Sequence, residues 1–137
     1  MKKIIFLILM TMSFVFAKFT SIDDGTLLKM QKQGVVVIDI RTPKEWKQRG
    51  IIKGAKTIEF FKSDGSVDFI KFIKKFTKYV NSSKQPFIIY CAHANRSKVL
   101  GKLFDRLGVK NVYELKGGIE YGWIDKGRKT VKYKGSK

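Results

Sequence analysis

The stretch F-I-I-Y-C-A-H-A-N-R-S-K-V-L-G-K-L-F-D-R-L, Phe87 to Leu107, leaves few folds open. Phe87 to Tyr90 is a short apolar run, the composition of a buried strand. From Ser97 the pattern changes to a helical one, with Val99, Leu100, Leu103, Phe104 and Leu107 on one stripe and Gly108 beyond it as a left-handed stop. Only six residues, Cys91 to Arg96, join the two. The unit reads as strand, tight loop, helix.

The same alternation recurs along the chain. Lys18 to Ile22 reads as a short edge strand. Asp23-Asp24 caps a helix carrying Leu27, Leu28 and Met30 and ended by Gly34. Val35 to Ile40 is a β-branched run broken only by Asp39, as expected of a parallel strand covered on both faces. Thr42-Pro43-Lys44-Glu45 is a capping box with proline at the first helical position, so a helix starts there. Gly50 to Gly54 reads as a turn, Lys56 to Phe60 as a strand and Ser63 to Ser66 as a second turn. Val67, Ile70, Ile73, Phe76, Thr77 and Val80 then recur at helical spacing, with Lys71, Lys74, Lys75 and Lys78 toward water. After a loop from Asn81 to Pro86 and the central unit, Asn111 to Leu115 gives a last strand, Gly117-Gly118 a sharp turn and Ile119 to Ile124 a short helix. Strands alternating with helices predict a single α/β domain, a mainly parallel sheet of about five strands flanked by helices. In such a sheet, ligands belong at the carboxyl ends of the strands.

Cys91, the single cysteine, stands at such an end. A thiol followed by a turn into a helix faces backbone N–H groups that lack intrahelical partners. Such a nest favours anions, and a thiolate over a thiol, the form that attacks sulfur or phosphorus. Arg96 adds a permanent cation. A lone cysteine at a strand end is, taken by itself, better read as an inert core residue; the tight turn, Arg96 and the helix start reverse that reading toward chemistry.

Four motifs in order resemble the rhodanese-like sulfurtransferases. V-V-V-I-D-I-R-T-P-K-E-W, Val35 to Trp46, is similar to that family's strand ending in Asp-x-Arg and followed by a helix. G-I-I-K-G-A, Gly50 to Ala55, resembles its Gly-His-Ile-Pro-Gly-Ala turn, with Ile51 and Lys53 in place of His and Pro. C-A-H-A-N-R-S is similar to its active-site loop, and L-K-G-G-I-E-Y-G-W, Leu115 to Trp123, to its closing Gly-Gly/Trp motif. The likeness covers roughly residues 18–126 and leaves 127–137 as a basic tail. Four residues, A-H-A-N, separate Cys91 from Arg96, where cysteine phosphatases have five. The resemblance therefore implies a cradle for one sulfur rather than for phosphate.

It implies a double displacement through a persulfide on Cys91. The sulfur comes from thiosulfate or a similar small anionic donor and passes to cyanide, a thiol or a protein cysteine. No metal or cofactor is required. The N–H groups of Ala92, His93, Ala94, Asn95, Arg96 and Ser97 would hold the persulfide charge. Arg96 could orient the donor or brace the loop through Glu45. His93 could line the pocket mouth or assist proton transfer. Ser97 could cap the helix and donate to the sulfur, and Asn95 tolerates a positive φ. Asp39, Arg41 and Glu45 would brace the edge of the site, the first two as an ion pair. Ala94 stands where the family commonly has glycine, and a positive φ there would cost about 1 kcal/mol. A carrier that holds a persulfide for a partner protein without turning over thiosulfate is the alternative reading.

Met1 to Ala17 has a basic start at Lys2-Lys3, an apolar run to Phe16, and Val15 and Ala17 at the positions a signal peptidase reads. The expectation is a signal peptide cleaved near Ala17, a periplasmic or secreted product and no stable membrane span, since the run is shorter than a bilayer needs. Formal net charge is +18 over the whole chain, which suits steering of small anions or contact with an acidic partner. Export argues against nucleic acid. Oligomeric state is not readable from the sequence.

Overall fold

A computed structural model describes residues 19–135. The segment read as a signal peptide lies outside the described residues. The elements are β1 (Thr20–Ile22), α1 (Asp24–Lys32), β2 (Val36–Asp39), α2 (Pro43–Arg49), β3 (Lys56–Thr57), α3 (Phe69–Phe76), β4 (Phe87–Tyr90), α4 (Asn95–Arg106) and β5 (Val112–Leu115), then a π-helical turn over Glu120–Ile124. The strands form one five-stranded sheet in the order β1-β5-β4-β2-β3, and every pairing is parallel. The α/β sheet expected from the alternating pattern is therefore present. Among the described residues no helix is long and apolar enough to cross a membrane.

β4 occupies the middle, and all four of its residues are wholly buried. Because side chains alternate across a strand, Phe87 and Ile89 enter the core on one face, and Ile88 and Tyr90 the core on the other. The first core is aromatic: Phe76, Phe87 and Phe104 meet at centroid distances of 5.0–5.3 Å, with Phe72 stacked on Phe76. The second holds Leu27 of α1 with Ile119 and Trp123 beyond β5. Cys91 continues the alternation and falls on the Phe87/Ile89 side.

The helices start where capping chemistry directs. Asp23 accepts from Thr26 N–H at the head of α1. Thr42 and Glu45 close the capping box of α2. Several expectations shift. α3 is shorter than the repeat suggests and buries Phe72 and Phe76, leaving Val67 and Ile70 exposed, Ile70 at 81%. In α4, Leu100 and Phe104 are buried, but Val99 is exposed, as is Leu107 just past the helix end. β3 pairs over two residues only, though Ile58 and Phe60 N–H groups still reach the Asp39 and Ile40 carbonyls.

The basic segment after the π-turn runs back over the domain. Val131 bridges Ile51 antiparallel, Tyr133 packs on Trp46 at 5.2 Å, and Trp123 Nε1 donates to the Lys129 carbonyl at 3.0 Å. Lys126 and Arg128 both reach Asp24, at 3.0 and 2.6 Å. Lys126 and one cation of the tail, Arg128, are thereby paired within the domain.

Candidate active site

Cys91 ends β4, and the chain must reverse within a few residues to pack α4 on the sheet. Ala94 makes that reversal with φ of 68°, immediately before the helix. The left-handed residue is thus Ala94; Asn95, the residue better suited to that conformation, is already the first of α4. The helix begins two residues before Ser97, so Ser97 lies within its first turn. Its hydroxyl does not cap the helix, and the residue at the cap position, Ala94, makes no side-chain cap hydrogen bond.

The first-turn N–H groups therefore stay available. Ser97 N–H donates to Cys91 Sγ at 3.4 Å, and the thiol donates to Ser97 Oγ at 3.6 Å. The N–H groups of Ala92, His93, Ala94, Asn95 and Arg96 make no hydrogen bond among the described residues. Amides gathered in this way at a helix start favour negative charge beside them. Cys91 itself is 1% exposed. An open cavity of about 510 Å³ lies over the start of α4, lined by Glu45, Phe61, Asn95, Arg96 and Val99 among others. The sulfur lies beneath the loop, not in the wall of that cavity.

The closing Gly-Gly turn holds the loop from below. Ile119 N–H donates to the Cys91 carbonyl at 2.9 Å and Glu120 N–H to the Ala92 carbonyl at 3.0 Å. These bonds require a backbone approach that only glycine permits. A Cβ on Gly118 would run into the Ala92 carbonyl and come within 2.7 Å of the Cys91 oxygen, and its φ is 66°.

Of the two tasks open to Arg96, the structure contains the bracing one. Its Nη1 and Nη2 donate to the Glu45 carboxylate at 2.8 and 2.6 Å, a two-pronged pair that ties α4 to α2. The same carboxylate accepts from the Thr42 N–H. Burial pushes the Glu45 carboxyl up, but Arg96 and the Thr42 N–H outweigh it and hold it at about 2. The Arg96 guanidinium is held charged by Glu45 foremost, with a further contribution from the field of Cys91.

Asp39 and Arg41 do not touch Cys91. They form a buried ion pair of 2.6 Å, and Arg41 Nη2 also donates to the Gly50 carbonyl at 2.7 Å. The guanidinium lies 5.8 Å from the Tyr90 ring centroid, and the Tyr90 hydroxyl accepts from Ile52 N–H. The pair thus locks the 50–52 turn to the sheet. His93 is exposed and packs on Tyr121 at 4.8 Å; no hydrogen bond joins it to Cys91. Among the described residues no cluster of His, Cys, Asp or Glu could hold a metal ion.

One residue at the site escaped the sequence reading. Glu114 of β5 is wholly buried, and Ser97 Oγ donates to its Oε2 at 2.8 Å. Its signal was an acidic residue on the inward phase of an otherwise apolar strand, two positions after Val112.

A thiol at the end of the central strand, a helix start with unpartnered amides and a loop tied down by a Gly-Gly turn thus come together around one sulfur. The rhodanese-like domain model matches residues 24–125, and the chain belongs to that family. It is similar to the tRNA uridine(34) hydroxylase of Protochlamydia amoebophila, 32% identical over 97 residues, covering 70% of this chain but 29% of that protein. The chain thus spans under a third of that relative's length. It is also similar to the thiosulfate sulfurtransferase GlpE of Pseudomonas entomophila, 29% identical over 105 residues, covering 76% of this chain and 84% of that one. In fold it matches the polysulfide-sulfur transferase homodimer of Wolinella succinogenes, with a TM-score of 0.64, 21% identity, and 87% and 82% of the two chains covered.

Proposed function

We propose that this chain is an exported sulfurtransferase that carries sulfane sulfur as a persulfide on Cys91. One observation carries the reading: the sulfur sits against the uncapped start of α4, with Ser97 N–H on it and the loop's other amides unpartnered. In the first half-reaction the thiolate attacks the outer sulfur of thiosulfate. A Cys91 S–S bond forms, the sulfur–sulfur bond of the donor breaks, and sulfite leaves with the electron pair. In the second, a nucleophilic acceptor takes the terminal sulfur and the Cys91 thiolate departs. The amides need not reorganise between the two states, because both place negative charge in the same cradle.

Arg96, held by Glu45, keeps a positive field at the rim of the cavity where an anionic donor arrives. At 1% exposure Sγ is reached only when the loop or a rim side chain gives way. That burial favours the second reading, a persulfide carrier loaded by a partner and slow with free thiosulfate. Reading Met1 to Ala17 as a cleaved signal peptide supports periplasmic or secreted placement, away from tRNA, and the hydroxylase activity of the longer relatives is not carried over. The test is thiocyanate release from thiosulfate and cyanide by the wild type and by Cys91→Ser. Turnover lost in the variant supports the enzyme. Persulfide formation without turnover supports the carrier, and neither in the wild type overturns both.

A further inference from the structure

Glu114 is buried without a cation. Among the described residues no Lys, Arg or His pairs with it. Its carboxyl is held by two hydroxyls, Ser21 Oγ to Oε1 at 2.7 Å and Ser97 Oγ to Oε2 at 2.8 Å. Ser97 Oγ is also the atom that accepts the Cys91 thiol. A continuous path therefore runs from Sγ through one hydroxyl to Oε2. That hydroxyl has a single hydrogen, and its carboxylate contact is shorter than the 3.1 Å to the Ala94 carbonyl.

A charged carboxylate here would stand next but one to a sulfur that must also become negative. Two anions in a dry site with no cation between them oppose each other strongly. One proton divided between them removes the conflict.

We propose that Glu114 is the proton acceptor for Cys91, acting through Ser97, so that thiol and carboxyl share one proton. The Cys91 S–H bond breaks as its proton passes to Ser97 Oγ, while the proton already on Ser97 passes to Glu114 Oε2. The products are a thiolate, an intact serine hydroxyl and a neutral carboxylic acid. The carboxylic acid then donates to Ser97 Oγ, and Ser97 O–H turns to the sulfur beside its own N–H. No proton is released to solvent and no oxidant or reductant takes part.

The other charged groups nearby are engaged or turned outward. Arg96 of α4 is bound to Glu45 of α2, and Asp39 of β2 to Arg41. Past β1, Asp23 caps α1, and Asp24 holds Lys126 and Arg128. His93 in the loop, Lys98 and Lys102 on α4 and Lys116 after β5 are exposed.

The inference rests on Cys91 being the nucleophile, so its test reads thiol ionisation without any sulfur transfer. The full chain is alkylated with iodoacetamide across a pH series, rates being followed by intact mass; Cys91 is the only cysteine. A pair sharing a proton titrates in two macroscopic steps. The wild-type rate should hold a plateau across neutral pH and rise again when the shared proton leaves. Glu114→Gln keeps the shape of the side chain and removes the acceptor. Its profile should be a single step, falling about tenfold per pH unit below it. A single step in the wild type overturns the proposal even if the variant does not fold, and so do profiles of the same shape in both proteins. Sulfur loading from thiosulfate is measured separately: a plateau without loading sinks the sulfurtransferase reading alone, and loading with a single-step profile sinks the relay alone.

Discussion

Replacing Glu45 with glutamine removes one charge from the junction of α2 and α4 and little else, because glutamine also serves a capping box. The wild-type carboxyl is held at about 2 against an ordinary 4.5. At about 1.4 kcal/mol for each tenfold change in proton affinity, that difference sets a ceiling of about 3 kcal/mol. Both partners are more than a quarter exposed, at 27% and 28%, so solvent screens part of it. About 1.5 kcal/mol is the expected loss at neutral pH, a fall in melting temperature of about 5 °C for a domain this size. The sign follows from a depressed native value. The stabilisation is complete above about 4.5 and disappears as pH falls toward about 2. Thermal melts of wild type and Glu45→Gln followed by circular dichroism should therefore differ at neutral pH and converge at the acid end of that window. A gap that persists unchanged into acid, or no gap at neutral pH, would refute the assignment of the Glu45–Arg96 pair as the clamp on the loop.

Asp39→Asn leaves the Arg41 guanidinium buried against a neutral partner and should cost about 3 to 5 kcal/mol, read from urea midpoints. Gly118→Ala forces a methyl into the Ala92 carbonyl at a positive φ; it should lower stability by at least about 2 kcal/mol and loosen the loop, seen as faster hydrogen exchange at Ile119 and Glu120. Because Cys91 lies beneath its loop, iodoacetamide should label it much faster than a bulky aromatic disulfide, and equal rates would mean an open thiol.

Periodicity was sufficient for the sheet, since β2 and β4 are buried on both faces and carry apolar runs, broken in β2 only by Asp39. It failed where a helix is amphipathic by degree. Val99 and Leu107 have the right chemistry for the core, but Val99 lies about 100° round the helix from Leu100 and Leu107 comes where α4 has already ended, so both stay exposed. Ile70 fits a 3.6-residue repeat whose phase is set instead by Phe72 and Phe76, the larger aromatics. At the site, the residues of the loop were readable because a nucleophile, a turn and a cation are local features. The turn residue was readable only through the family resemblance: Asn95 has the greater intrinsic tolerance for positive φ, yet the backbone reversal falls on Ala94, at the family's glycine position. Glu114 and Ser21 reach Ser97 from strands far away in sequence, and pairing across a parallel sheet is invisible in a one-dimensional pattern. The packing of residues 129–133 on Trp46, Ile51 and Trp123 is equally non-local, and a run rich in lysine hides it.

The most direct test of the central idea is the intact mass of the purified protein after incubation with thiosulfate and removal of excess donor. A persulfide on Cys91 predicts a gain of one sulfur atom, reversed by cyanide and absent from Cys91→Ser. An unchanged mass under conditions where iodoacetamide labels the same thiol would contradict it.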